Sequence, residues 1–190
     1  MSTFAIILLV LAVITTLYIV MTHNAIITYF NACQRAWADV ITQELQKTRL
    51  LPSLEKMVNE YKVHEADVMK TVTELRSALK NISPTTPDVS ALQRVNSESK
   101  ALMSNINLVA ENYPELKASE VYQRFMRELS ELEGNISASI RIFNANVEAF
   151  NTKIEVFPSV FINDIITRKA RLDVFTDVEA AGNFSYKPNF

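Results

Sequence analysis

Residues 129–157, LSELEGNISASIRIFNANVEAFNTKIEVF, carry the pattern that decides the fold. Leu129, Leu132, Ile136, Ile140, Phe143, Val147, Phe150, Ile154 and Phe157 recur at steps of three and four. First and last lie 28 residues apart and are joined by eight steps, an average of 3.5. That is the heptad period of helices packed along a left-handed seam. Ser119 is a plausible N-cap ahead of it, and Pro158 ends the run. Gly134 lies inside, where glycine costs about 1 kcal/mol relative to Ala, and the mild explanation is close approach of a neighbouring helix.

Working back along the chain, the same period recurs. Leu92, Val95, Ser99, Leu102, Ile106, Val109 and Tyr113 form a stripe stopped by Pro114, with Asp88 or Ser90 as its cap. Leu54, Val58, Tyr61, Val68, Val72, Leu75, Leu79 and Ile82 form another, starting at Leu51-Pro52, since proline fits a first helical turn. It ends before the loop Ser83-Pro84-Thr85-Thr86-Pro87-Asp88. Phe30, Cys33, Trp37, Val40 or Ile41, and Leu45 mark a first helix from Ile26 to about Arg49. The whole chain holds only 2 glycines, which suits helices better than sheets with tight turns. Short connections between long helices make neighbours antiparallel. The expectation is an all-α chain with an up-down four-helix bundle over 25–158.

Ahead of the bundle, Phe4 to Met21 reads FAIILLVLAVITTLYIVM, with no charge, Pro or Gly. Eighteen residues at 1.5 Å rise span about 27 Å, close to the hydrocarbon thickness of a bilayer. Inside lipid every backbone group must be satisfied internally, so this stretch is expected as a transmembrane helix over residues 1–24. A cleaved signal peptide would carry a basic n-region and an A-x-A site, and neither is present. No Pro or Gly separates Phe4 from Arg49, so anchor and first bundle helix read as one rod. Arg35 is the first basic side chain after the apolar run and favours a cytoplasmic domain by a margin of one charge. Residues 159–190 read as a C-terminal segment: a short helix around Val160–Ile166, then a loose tail from Gly182 to Phe190.

The chemistry is sparse. A net charge of −2, from 19 basic and 21 acidic residues, gives no sign of a nucleic-acid binder. Cys33 is the single cysteine, read as a small buried apolar residue. His64-Glu65 is followed by Ala66-Asp67-Val68, so the second histidine of a zincin helix is missing, and His23 is the only other one. The pair interrupts the apolar stripe between Tyr61 and Val68 and suggests a buried polar contact fixing register or pairing. Asn144 and Asn151 are seven apart and share a face. They read either as a ladder setting register or oligomer state or as solvated flank positions. The stripe Phe143, Phe150, Phe157 reads as core, or as a partner groove if the bundle is partly open. No catalytic residue, cofactor, metal site or small-molecule substrate is inferred.

Four stretches resemble the LemA family of bacterial membrane proteins. These are Ala36-Trp37-Ala38-Asp39-Val40; Arg49-Leu50-Leu51-Pro52-Ser53-Leu54 with Tyr61 and His64-Glu65; Glu111-Asn112-Tyr113-Pro114-Glu115-Leu116-Lys117-Ala118; and the steps Phe143-Asn144, Phe150-Asn151 and Phe157-Pro158. The likeness covers about residues 26–160, and the usual Gly-rich tail is replaced by a charged segment from Ile162 to Ala180. The resemblance implies an N-terminal membrane helix, a helical bundle and no established enzymatic activity. Members are often encoded near membrane proteases or other envelope proteins. The expected role is therefore a non-enzymatic scaffold of the bacterial cytoplasmic membrane, self-associating at the bilayer surface. The alternative is an adaptor or regulator of a membrane enzyme such as a protease.

Overall fold

The computed structural model describes residues 3–60 and 66–177, with the backbone alone at 60 and 66. Among them every regular element is helical: α1 (Thr3–Glu60), α2 (Ala66–Asn81), α3 (Val89–Asn112), α4 (Pro114–Ala118), α5 (Glu120–Glu155) and α6 (Ser159–Ile162), followed by a π-helical turn (Asn163–Thr167). Tyr61, His64, Glu65 and the tail from Gly182 to Phe190 lie outside the described residues.

α1 is a single helix of 58 residues, about 87 Å long at 1.5 Å per residue. Its apolar N-terminal span is long enough to cross a membrane and none of it is buried by the rest of the chain. Burial begins at Thr22 and then follows one stripe through Ile26, Cys33, Trp37, Val40, Glu44, Lys47, Leu51, Leu54 and Val58. Two expectations change here. The second helix does not begin at Leu51-Pro52, because Pro52 lies inside α1. A mid-helix proline removes the hydrogen bond to Thr48 and costs about 3 kcal/mol. Pro52 and Thr48 both lie on the exposed side, open to solvent, while Leu51, Leu54, Met57 and Val58 are buried on the other. Leu45 is exposed and the stripe instead passes through the charged Glu44 and Lys47.

α1 packs chiefly on α5, and α2 on α3. Phe30 meets Phe150 with ring centroids 5.6 Å apart, and Trp37 meets Phe143 at 5.3 Å. Rising number on α1 thus meets falling number on α5, so the two run antiparallel. The Trp37 indole N–H donates to the Ser83 carbonyl at 2.8 Å, and Arg76 pairs with Glu55, so α2 also runs against α1. One apolar core draws on α1, α2, α3 and α5. The stripes of α2, α3 and α5 are buried largely as their spacing predicts, with two exceptions: Tyr113 and Phe157 are exposed. α5 ends at Glu155 and Val156 takes an extended conformation, so Phe157 leaves the heptad seam before reaching the core.

Side chains close the helix ends. Asp88 accepts from the Ala91 amide at 2.9 Å and from the Ser90 hydroxyl at 2.6 Å, and these bonds hold its carboxyl below its ordinary range. Ser119 accepts from the Tyr122 amide and caps α5. Among the described residues no neighbour approaches Gly134: a Cβ there would meet nothing within 4 Å. Gly134→Ala is therefore expected to stabilise the fold by about 1 kcal/mol. Thermal unfolding should show a midpoint raised by roughly 2–4 °C; an unchanged or lowered midpoint would mean a hidden constraint at this position.

Candidate functional site: a charged core node and an asparagine-held strap

The residues singled out in the sequence separate into two places. Trp37, Phe143 and Phe150 are fully buried at the α1–α5 interface. Asn144 and Asn151 lie beside them, and Tyr113 and Phe157 are surface residues. His64, Glu65 and Tyr61 fall outside the described region.

The asparagines hold the C-terminal segment. After the π-helical turn, Arg168 adopts the left-handed conformation (φ 51°), a backbone state that reverses chain direction at a local cost. Residues 168–177 then run back along α5 without helix or strand pairing. Each of three asparagines grips one residue of this strap by both backbone groups. The Asn163 amide donates to the Lys169 carbonyl and accepts from its N–H, both at 3.0 Å. Asn151 does the same to Leu172 at 2.8 and 3.0 Å, and Asn144 to Phe175 at 2.8 and 2.8 Å. A side-chain amide carries one carbonyl and one NH₂, so it can pair with a backbone residue as a neighbouring β-strand would.

The spacing explains why these two positions of α5 serve. Seven helical residues advance about 10.5 Å, and three residues of extended chain cover about 10 Å. Asn144 and Asn151 are thus in register with residues 175 and 172. Leu172 packs against the core, and Phe175 is buried in it. Further ties reach outward. Lys169 Nζ lies 3.9 Å above the Phe30 ring, Arg171 pairs with Glu155 at 2.6 Å, and Lys100 pairs with Asp177 at 2.7 Å. The C-terminal segment is therefore integral to the domain through residue 177.

The second site was not singled out in the sequence. Lys47 is 2 % exposed, and its ammonium lies 2.8 Å from Glu44 Oε2 and 2.9 Å from Glu133 Oε1. It donates a hydrogen bond to Ser99 Oγ at 2.8 Å. Glu44 is 1 % exposed, whereas Glu133 is 26 % exposed and reaches solvent. The two facing carboxylate oxygens are paired with the Lys47 charge and, among the described residues, have no other hydrogen-bond partner. Burial pushes the Glu44 carboxyl above its ordinary value of 4.5, and the Lys47 charge opposes that shift without cancelling it. One lysine on α1 thus ties α3 (Ser99) to α5 (Glu133) across the core. The signal was present: extending the α1 stripe by threes and fours beyond Val40 lands on Glu44 and Lys47, and Ser99 interrupts an otherwise apolar stripe.

The model of the LemA family matches residues 36–183. The match starts later and ends later than the expected 26–160, and it takes in the strap. The segment from Ile162 is therefore not a departure from the family. "Protein LemA" of Metamycoplasma hominis is 31% identical over 127 residues, 67% of this chain. The aligned part spans 57% of that relative's own length. With the family match extending over most of the chain, the chain belongs to the LemA family.

Proposed function

We propose that this protein is a membrane-anchored, non-enzymatic scaffold of the bacterial cytoplasmic membrane. Its helices work as an antiparallel up-down four-helix bundle that self-associates at the bilayer surface. The observation that carries this reading is the continuity of α1. One 58-residue helix supplies both an unburied apolar span and the central seam of the domain. A rod so held is confined to two dimensions, where a weak lateral contact acts at high effective concentration. The single basic charge at Arg35 favours the cytoplasmic face.

Two measurements test this. Deleting residues 1–21 should move the protein from the membrane fraction to the soluble fraction. The detergent-solubilised full chain should scatter light as a multiple of its 21.5 kDa protomer. A protomer mass across a wide concentration range would contradict self-association.

A second reading, an adaptor for a membrane enzyme such as a protease, draws on a different observation. Leu108, Tyr113 and Val121 are exposed around the α3–α4–α5 turns, at the end of the domain far from the anchor. A stable hetero-complex recovered from native membranes and lost on Leu108→Asp would favour it.

A further inference from the structure

Four large apolar side chains crowd the other end of the domain. Phe157, Phe161, Ile165 and Ile166 are 79, 58, 69 and 49 % exposed. Phe157 precedes α6, Phe161 lies in it, and Ile165 and Ile166 lie in the π-helical turn; the rings of Phe157 and Phe161 meet edge-on at 5.9 Å. Solvent-facing apolar groups of this size, gathered on a short segment, mark an interaction surface.

Their height along α1 identifies the occupant. Phe30 meets Phe150 with tilted rings, and from there α5 runs back toward the anchor as far as Glu155. Phe157 is thereby delivered near the level of residue 23. Independently, His23 Nδ1 lies 3.1 Å from Thr167 Oγ1, which fixes Ile165 and Ile166 at that same level. The apolar span ends at Met21, two residues or about 3 Å earlier, and Thr22 is the first buried residue of α1. The patch therefore sits within a few ångströms of the hydrocarbon boundary.

We infer that this patch is a second membrane contact: Phe157, Phe161, Ile165 and Ile166 insert into the interfacial zone of the same bilayer that α1 spans. The inference rests on the anchor reading of α1. Interfacial segments bury their apolar face about 5–10 Å into the headgroup and acyl boundary, a depth this geometry allows. The charge around the patch is mixed. Arg168 and Arg171 are exposed, but Asp164 shares the segment and Glu155 pairs with Arg171. Insertion is accordingly driven by apolar burial, with only a minor dependence on anionic lipid. An anchor alone lets the domain spin about the axis of α1. A contact to one side of that axis fixes which face looks along the membrane.

The test uses the full chain in vesicles of phosphatidylcholine and phosphatidylglycerol (3:1), with nitroxide labels on single introduced cysteines. Cys33 needs no replacement, because it is buried and its thiol is pushed up to about 11 by that burial. Labels at Phe161→Cys and Ile165→Cys are compared with Leu11→Cys in the anchor and Leu108→Cys at the far end, all exposed positions. The expected result is preferential collision with oxygen over a water-soluble nickel chelate at 161 and 165, intermediate between Leu11→Cys and Leu108→Cys. Nickel accessibility at 161 and 165 equal to that at 108, with position 11 still lipid-buried, would overturn the second contact and leave the anchor standing. Exclusion of both reagents, with spin–spin broadening, would overturn it in favour of a second copy on the patch. Nickel access at position 11 would overturn the anchor reading itself.

Discussion

Lys47→Met is expected to cost about 3–5 kcal/mol, because it leaves Glu44 buried with a charge that nothing compensates. Methionine matches the lysine stem in length, so packing changes little and the electrostatic term dominates. For a chain of this size the unfolding midpoint, followed by near-UV circular dichroism of the full chain in detergent, should fall by roughly 10 °C. Replacing the whole node, with Glu44→Leu, Lys47→Met, Ser99→Ala and Glu133→Gln together, should recover most of that loss, since apolar residues of similar volume commonly equal a buried ion pair. Failure of the combined variant to recover would mean that the node does more than compensate its own charges.

The node also sets a pH dependence. The folded Glu44 carboxyl titrates above its ordinary 4.5 because it is buried, so the folded state binds this proton more tightly than the unfolded state. Stability from this group is complete below the unfolded value and is lost as pH rises through the folded one. Acidification from neutral pH into the window just above 4.5 should thus stabilise the domain through Glu44. Glu44→Gln should flatten that component, which denaturant titrations across pH would resolve.

The second large effect concerns the strap. Asn144→Ala with Asn151→Ala deletes four hydrogen bonds to Leu172 and Phe175. It also leaves those backbone groups, next to buried apolar side chains, without partners. At about 1 kcal/mol per bond, and more for each group stranded out of water, the loss is roughly 4 kcal/mol. That is enough to release residues 168–177 while the helices persist. In hydrogen exchange the Leu172 and Phe175 amides should pass from protected to fast, with α1 and α5 amides near their original rates. Retained protection at both amides would show that apolar burial of Phe175, not the asparagines, holds the strap.

How much of this was legible in the sequence depends on the kind of partner each residue has. The α5 seam was legible from Leu129 to Ile154 because helix meets helix with one period. Phe157 broke from it because α5 ends two residues earlier, an end set by the chain's path toward Pro158. The α1 seam was lost at Leu45, since Glu44 and Lys47 look like flank residues until Ser99 and Glu133 are brought beside them. Pro52 read as a helix start because its local cost is clear in sequence, whereas the offsetting burial of Leu51 and Leu54 is tertiary. Asn144 and Asn151 were legible as a pair on one face. Their partner was not, because an extended strap held by side-chain amides has no hydrophobic period of its own.

The central claim is that one unbroken helix carries the apolar span into the heart of the domain. Its most direct test is the distance between spin labels at Leu17→Cys and Leu45→Cys, both exposed on α1, measured by double electron–electron resonance in bilayers with the labelled chain diluted into unlabelled chain. Twenty-eight residues of continuous helix predict a narrow distribution near 42 Å, at about 1.5 Å per residue. A broad or markedly shorter distribution would contradict the account, because it would place a joint between the apolar span and the helical domain.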